Sequence, residues 1–423
     1  MRRAIFLMLM ALTTATFAQT DSLLRENAIK VYLDGAFLDE QFIKDNLTFV
    51  NYVRDHHDAD VYILIVRENS GSGGERYTLI FEGQNKYQGR NDTLRFNTKP
   101  DETTDETRRT LLKYLKAGLT PFVANTPLFD YMDIAYKAPT AQKQQVVEDK
   151  WHSWVFDLGV HGYASGQTRY KDLSLSGSVS ASKVTPDWII DLSADYSFSK
   201  SRYVITDDYI VNSLRRSASF DGLVVRSLSD HWSAGTFFES GQSTYSNYRL
   251  YASLSPAVEF NIFPYSESTV HQLRILYAFG ARQNYYVDTT IYNKLQELYL
   301  RQRLSVAYQV RKKWGSVNIS LDGSTFVPDF SKNSLSASTS LSVRLFKGFS
   351  VNTSFSYGFV HDQVNLPKGD ATLEEILTQQ QQLATSFRYW GFFGISYTFG
   401  AIYNNVVNPR FGHSGGSTMI IMY

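Results

Sequence analysis

The sequence contains no cysteine among its 423 residues, which excludes disulfide bonds and thiolate metal ligands. It has 42 basic and 41 acidic residues, so no excess of one sign points to nucleic acid or an anionic surface as a partner. It also has no apolar run of the roughly 20 residues that a transmembrane helix requires. We therefore predict no nucleic-acid partner, no thiolate metal centre and no helical membrane span.

The N-terminus has the pattern of a secretory signal. Two arginines precede an apolar run from Ala4 to Leu12, and the small residues Thr16 and Ala18 follow it. This order predicts a cleaved signal peptide at residues 1–18. Because no cysteine follows the cleavage site, we expect an exported chain without a lipid anchor.

Residues 19–125 are predicted to form a small α/β domain in the periplasm. Apolar residues recur at helical spacing from Leu38 to Arg54. A second helix should have Thr103 or Thr104 as its N-cap and Gly118 as its end. With strand candidates in between, the expected order is β-α-β-β-β-α, two helices on a sheet of three or four strands. The strand candidates are residues 29–35, 61–66, 76–84 and 92–97.

After a predicted linker at residues 126–150, apolar and polar residues alternate with a period of two. The longest such run is Leu383 to Phe399, in which the odd positions are apolar or small. An ordinary strand has about 5 or 6 residues, whereas a strand that crosses a bilayer takes roughly 9 to 11. The alternation predicts twelve strands within residues 151–400. They are residues 153–163, 170–182, 187–199, 213–227, 231–241, 248–262, 269–285, 297–311, 315–326, 334–345, 349–361 and 383–399.

The connections between these strands are short at one end and mostly longer at the other. The short ones read TPD, LSD, PYSES, KKW and FKG, and the longest reads DQVNLPKGDATLEEILTQQQQ. Outer-membrane barrels have this asymmetry, with short periplasmic turns and long external loops, and they carry girdles of aromatic residues. Aromatic residues make up 15% of the chain. We therefore predict a mainly β protein, a 12-stranded antiparallel transmembrane β-barrel preceded by the small α/β periplasmic domain. Residues 401–423 are expected to be a C-terminal tail or a plug.

The polar parity of the predicted strands carries charged residues that should line the lumen. The acidic ones are Asp157, Asp172, Asp191, Asp195, Asp221 and Glu239. The basic ones are Arg274, Arg282, Arg301, Arg303, Arg311, Arg344 and Arg388. One interpretation is that acids and bases pair across a narrow, filled barrel, because buried charge must be paired. The other is an open pore whose transverse field orients dipolar solutes.

Two motifs that suggest ligand binding are better assigned to local structure. His56 and His57 are adjacent, and adjacent residues on a helix do not share a face. The SGSGG segment at residues 70–74 lacks the Lys-Ser/Thr pair of a phosphate loop, so it predicts a hairpin turn. We expect no metal site and no cofactor.

A barrel-embedded lipid hydrolase is the alternative function. His161 lies at the polar parity of the first strand and Ser165 follows it, but the sequence lacks a His-x-Ser-Asn cluster. Hydrolysis of lipids also requires a nucleophile within reach of the acyl chains. We therefore expect a protein that is not an enzyme.

Two stretches resemble a known group of proteins. DNLTFVNYVRDHHDADVYILIVRENSGSGGERYTLIFEGQ at residues 45–84 and YTFGAIYNNVVNPRF at residues 397–411 are similar to a largely uncharacterised group of outer-membrane β-barrel proteins of Bacteroidota-type bacteria. The resemblance implies an N-terminal periplasmic α/β segment, a C-terminal barrel and a bacterial outer-membrane location. It implies no reaction or substrate.

The expected function is therefore solute passage, or envelope binding and assembly through the periplasmic domain. The expected partners are outer-membrane lipid and the barrel-assembly machinery. A periplasmic protein that docks on the Leu38 to Arg54 helix is a further expected partner.

Overall fold

The computed structural model of this protein describes residues 28–35, 38–70, 74–99, 101–133, 150–369, 371–378 and 380–405. These residues form two β-sheets, one of five strands and one of twelve, so the chain is mainly β as predicted. None of the helices in the described ranges is both long and apolar enough to cross a bilayer. The predicted signal peptide, most of the linker and residues 406–423 of the tail lie outside these ranges.

The five-stranded sheet and two helices make up the N-terminal α/β domain. The strands are β1 (Lys30–Asp34), β2 (Asn51–Tyr52), β3 (Val61–Asn69), β4 (Glu75–Gly83) and β5 (Asn91–Asn97), and the helices are α1 (Glu40–Asn46) and α2 (Thr104–Val123). The order in the sheet is β2-β1-β3-β4-β5. β1 is parallel to both of its neighbours, and the other pairs are antiparallel. β3 and β4 are consecutive along the chain and antiparallel neighbours, so they form a hairpin as predicted, while residues 71–73 of the SGSGG segment lie outside the described residues.

The predicted helix from Leu38 to Arg54 is wrong in its second half. The helix ends at Asn46, and the chain then extends into β2, which adds a fifth strand to the sheet. Val50 and Tyr52 are buried in the domain core rather than on a helix face. A cluster of apolar residues is compatible with either structure, and here burial against β1 decides between them.

Helix α2 begins where the sequence predicts and continues past its predicted end. The Thr103 side chain accepts a hydrogen bond from the Glu106 backbone, and the Glu106 side chain bonds back to Thr103, which makes a capping box. Gly118 does not end the helix. A Cβ atom at Gly118 would overlap the Phe81 ring, so this glycine allows α2 to approach the sheet closely.

The second sheet contains all twelve predicted strands, and each is antiparallel to its neighbours. They are β6 (Trp154–Gly166), β7 (Tyr170–Val184), β8 (Trp188–Thr206), β9 (Tyr209–Ser227), β10 (Trp232–Ser243), β11 (Tyr248–Asn261), β12 (His271–Tyr286), β13 (Gln296–Lys312), β14 (Gly315–Val327), β15 (Asn333–Phe346), β16 (Phe349–Val360) and β17 (Phe387–Tyr397). A short helix, α3 (Leu373–Leu377), lies between β16 and β17. The strands follow one another in chain order from β6 to β17.

Several strand ends differ from the prediction. β8 and β9 each have 19 residues and are joined by residues 207 and 208, so most of the predicted loop at residues 200–212 is a hairpin. Conversely, β17 has 11 residues, fewer than the alternating run from Leu383 to Phe399. Within the described residues β17 pairs with β16 and β6 pairs with β7, and no pair joins β6 to β17.

The twelve-stranded sheet has one apolar face and one polar face. Directly paired residues point to the same side of a sheet, and consecutive residues point to opposite sides. The apolar face is exposed: Leu158 is 78% exposed and Val160 is 88% exposed. Further exposed members of this face are Leu175, Leu254, Leu304, Ile319, Leu335 and Phe393.

Candidate functional site

The polar face of the twelve-stranded sheet carries all thirteen charged residues that the sequence predicts to line a lumen. Register links them across neighbouring strands. Asp221 pairs with Glu239, Glu239 with Ser253 and Ser253 with Arg282. The same alternation places the others on this side: Asp157, Asp172, Asp191, Asp195, Arg274, Arg301, Arg303, Arg311, Arg344 and Arg388. Whether this face encloses a lumen stays a prediction.

Ion pairs on the polar face join adjacent strands or, in the case of Arg282 and Glu239, reach across β11. Arg282 lies 3.4 Å from Glu239, and Arg303 lies 3.1 Å from Asp322. Arg274 lies 3.5 Å from Glu259. Sequence reasoning missed Glu259 and Asp322 as partners, although both lie at the polar parity of their strands. Charge of the two signs is therefore less segregated than the sequence suggests.

The acidic residues of β6 to β9 make no such pairs. Asp172 accepts hydrogen bonds from Ser201 at 2.6 Å and from Ser174 at 3.4 Å. In the part of the chain that the structure describes, Asp157, Asp191, Asp195 and Asp221 take part in no ion pair. This half of the polar face therefore keeps a net negative charge that the arginines do not neutralise by direct contact.

The connection between β16 and β17, residues 361–386, crosses one end of the sheet, which we call the cover end. The Gln382 backbone donates to the Tyr245 carbonyl at 2.9 Å, and the Asn247 side chain donates to the Asn365 carbonyl at 2.9 Å. Tyr209 also hydrogen-bonds to Glu374. The connection therefore reaches from β16 to the ends of β9, β10 and β11.

The α/β domain contacts the opposite end, which we call the domain end. Arg344 donates two hydrogen bonds to the Asp34 carboxylate, at 2.8 Å and 3.1 Å. The Tyr62 hydroxyl donates to the same carboxylate at 2.5 Å, and the Arg344 guanidinium lies 5.1 Å from the centre of the Tyr32 ring. The ion pair is partly buried, and it joins the end of β1 to the polar face.

Two further contacts join the domain to the turn between β15 and β16. Lys347 donates to Asp58 at 2.6 Å, and the Gly348 backbone donates to the Asp55 carboxylate at 2.5 Å. Gly348 has a φ of +73°, a backbone conformation that residues other than glycine rarely adopt. Partial burial raises the pKa of Asp55, but hydrogen bonds from the backbone and side chain of His57 and from the Gly348 backbone outweigh burial and hold the pKa below its usual value.

The chain that follows β17 adds to the edge of the five-stranded sheet. The Arg54 backbone donates to the Ile402 carbonyl at 3.1 Å, and the Asn404 backbone donates to the Tyr52 carbonyl at 2.8 Å. The Asn405 side chain accepts from the Tyr52 backbone at 2.6 Å. The described part of the tail therefore covers β2 rather than entering the polar face as a plug.

A family model matches the chain over its twelve-stranded sheet. It is described as a protein of unknown function, DUF481, and it matches residues 156–374. The chain belongs to this family. No curated protein matches the sequence. The DUF481 match covers the strands from β6 to β16 and the connection up to α3, and it leaves out the α/β domain and β17.

In this DUF481 member, His56 and His57 come closer than helical spacing predicts. They lie on a short 3₁₀ turn, with ring centres 3.9 Å apart, and together with Asp55 they offer ligand atoms within 4.8 Å of one another. However, the Asp55 carboxylate already accepts from the His57 and Gly348 backbones. Burial lowers the pKa of His56 to about 4. The contacts present are those of a turn that holds the domain in place.

His161 of this DUF481 member lies on the polar face opposite Ser176 of β7. Among the described residues no hydrogen bond joins its ring to a serine hydroxyl. Ser165 lies opposite Asp172, four residues further along β6. A nucleophile and its general base need to be within hydrogen-bonding reach, so His161 and Ser165 do not form such a pair in this structure.

Proposed function

We propose that this chain is an outer-membrane β-barrel protein that is not an enzyme and that admits small polar solutes to its interior. The strands from β6 to β17 cross the bilayer, β6 pairs with β17 to close the barrel, and the α/β domain lies in the periplasm. The DUF481 match is compatible with this proposal but assigns no role.

The exposed apolar face is the observation that carries the proposal. A soluble monomer rarely exposes an apolar patch larger than a few hundred Å², yet apolar side chains are exposed on every strand from β6 to β17. The strands have 11 to 19 residues, which is enough for a crossing of roughly 9 to 11 residues. Aromatic residues such as Trp188, Trp232 and Phe260 lie at strand ends on this face, as in an interfacial girdle.

Closure follows from the membrane environment. In hydrocarbon an unpaired strand edge leaves backbone N–H and C=O groups without partners, so membrane sheets are closed. β6 has 13 residues and β17 has 11, so their free edges are similar in length. Outer-membrane lipid and the barrel-assembly machinery are then the partners, and the interior is the polar face.

The two ends of the interior support controlled solute passage. The β16–β17 connection crosses one end, and the Arg344–Asp34 ion pair places the α/β domain at the other. Either cover must move or leave gaps before a solute can pass. A protein with a purely structural role would not need the unpaired carboxylates of β6 to β9 on the same surface.

Fractionation and electrophoresis test the proposal. We expect the chain in the outer-membrane fraction, with a folded band that migrates differently from the heated one. A soluble periplasmic protein would contradict it. In planar bilayers we expect conductance steps above background, whereas their absence would favour an envelope-binding role for the α/β domain.

A further inference from the structure

A pocket lined by three arginines lies under the β16–β17 connection at the cover end. Its volume is about 210 Å³. Arg282 of β12, Arg301 of β13 and Arg388 of β17 line it, together with Asp362 from the connection. With three basic groups and one acidic group, the lining has an excess of positive charge.

Arg301 has a donor without an acceptor. Its Nη2 donates to the Ser324 hydroxyl at 3.0 Å, but its Nε is buried and has no hydrogen-bond partner. Leaving a buried donor of a charged group unsatisfied is costly, because the group has lost its water without gaining a protein acceptor. An acceptor that occupies the pocket would remove this cost.

Arg388 is the second guanidinium of the pocket with donors that no described acceptor uses. It is exposed and lies opposite Gly358 of β16, where no side chain competes for space. In the described ranges it makes no hydrogen bond and no ion pair. A planar guanidinium donates two parallel hydrogen bonds to a carboxylate or a phosphate.

The third arginine is held in place by its neighbours. Arg282 donates to Asn284 at 3.0 Å and lies over the ring of Tyr251, 4.2 Å from its centre. Its ion pair with Glu239 is long, at 3.4 Å. Arg282 therefore adds positive potential at the side of the pocket while its own position stays fixed.

The amide groups around the pocket are already used to hold the connection. Gln363 donates to the Leu383 carbonyl and accepts from the Thr385 backbone. Asn365 donates to the Ser246 carbonyl and to Gln382. Among the described lining residues, Arg301 and Arg388 therefore keep charged donors that no printed acceptor uses and that a ligand can reach.

We infer that this pocket binds a small oxyanion, a phosphate or a carboxylate, between Arg301 and Arg388. The oxyanion accepts from both guanidinium groups, and Arg282 adds attraction at longer range. Asp362, which interacts electrostatically with Arg301, opposes binding and prevents an anion from being held too tightly to leave. A volume near 210 Å³ limits the ligand to a small solute.

The route by which the anion reaches the pocket rests on the proposed solute passage, but binding itself does not. The test is isothermal titration calorimetry at low salt on the full chain in detergent, with inorganic phosphate in one experiment and succinate in another. We expect saturable binding of at least one of them. Arg301→Gln and Arg388→Gln should each weaken it tenfold or more, because each removes a charged donor.

Asp362→Asn should tighten binding severalfold, since it removes the acid that opposes the anion. A misfolded variant cannot imitate this gain. Arg311→Gln is the matched control, because Arg311 lies on the same face near the domain end, and binding should stay within twofold of the wild type.

The absence of saturable binding by both phosphate and succinate would overturn the inference. So would wild-type affinity in Arg301→Gln and Arg388→Gln, or weaker binding in Asp362→Asn. Each variant should keep the heat-shifted band of the folded barrel. If the wild-type protein shows the heat-shifted band but binds neither anion, the anion pocket alone is rejected. If the wild-type protein is soluble and lacks the band, the proposed function is rejected.

Discussion

The two regions of this chain treat apolar residues in opposite ways. In the α/β domain, Ile63, Leu79 and Leu115 are fully buried at 0% exposure. In the twelve-stranded sheet, Leu158 and Val160 are 78% and 88% exposed. The same chain therefore buries its apolar residues in the α/β domain and exposes them on the twelve-stranded sheet.

This difference points to two solvents. Burial of apolar surface is the main favourable term of folding in water, at roughly 25 cal/mol per Å². A sheet that exposes such residues on all its strands gains this energy only if its surroundings are apolar. We infer that the α/β domain is built for water and that the apolar face of the twelve-stranded sheet is built for acyl chains.

The largest effect should come from the core of the α/β domain. Leu115→Ala should destabilise this domain by about 2 to 5 kcal/mol, because it leaves a cavity among fully packed residues. Circular dichroism at 222 nm follows the unfolding of this domain in urea, since α2 is the longest helix described. Lys116→Ala, on the exposed side of α2, should change little. Equal effects of the two variants would mean that the domain has no dry core.

A charge on the apolar face of the sheet should have nearly as large an effect. Ala337→Arg should cost about 2 to 4 kcal/mol, the range for arginine at the bilayer midplane of a barrel. The loss of stability is measured by refolding the variant into vesicles and quantifying the heat-shifted band. Ser338→Arg is the control one residue away, on the polar face opposite Ser320. If Ser338→Arg is the more damaging of the two, the faces have been assigned the wrong way round.

The contact between the two regions should have an intermediate effect. Arg344→Gln removes two charged hydrogen bonds to Asp34, and because both side chains are partly exposed and Tyr62 still donates to the carboxylate, we expect a loss of about 1.5 to 3 kcal/mol in all. We expect hydrogen exchange of residues 51–54 to become about tenfold faster or more. The Arg311→Gln variant should exchange like the wild type. No change in Arg344→Gln would show that the contacts of Asp55 and Asp58 and of the residues after β17 hold the domain without this ion pair.

The last prediction concerns pH. Burial lowers the pKa of His56 to about 4, whereas an unfolded histidine titrates near 6.5. The titratable and charged groups that interact with the His56 ring are His57, Asp55, Arg344 and Asp34. As the pH falls, the unfolded chain binds a proton at this histidine before the folded chain does. The stability of the α/β domain should therefore fall as pH drops from about 6.5 to about 4, and this contribution should level off below that. Urea midpoints across this range measure it.

In the variant His56→Gln this part of the pH dependence should disappear. His152→Gln, which lies outside the α/β domain, should keep it. A wild-type pH profile in His56→Gln would show that another group causes the loss of stability.

Much of the fold follows from the sequence because a strict period of two over ten or more residues is typical of a strand with two unlike faces and of few other structures. All twelve strands of the sheet were predictable in this way, and the capping box of Thr103 and Glu106 indicates the start of α2. The second half of the Leu38 to Arg54 segment was not, since its short apolar run is compatible with a helix or a strand.

For the candidate site, the sequence predicts only the face of the sheet on which the charged residues lie. The alternation places the thirteen charged residues on one face, but the partners of Arg303 and Arg344 depend on register and on docking between distant segments. Asp34 and Arg344 are 310 residues apart in the chain. No local pattern encodes such a contact, and the pocket under the β16–β17 connection depends on how that connection folds back over the sheet.

The absence of native cysteine allows the central claim to be tested one residue at a time. Single cysteines placed along β15 from Leu335 to Ser342 carry a polarity-sensitive fluorophore in vesicles that contain nitroxide-labelled lipid. We predict a period of two, with odd positions apolar and quenched by the lipid and even positions reached by water-soluble quenchers. Equal access of water to both sets would contradict it, because the apolar face would then not contact acyl chains.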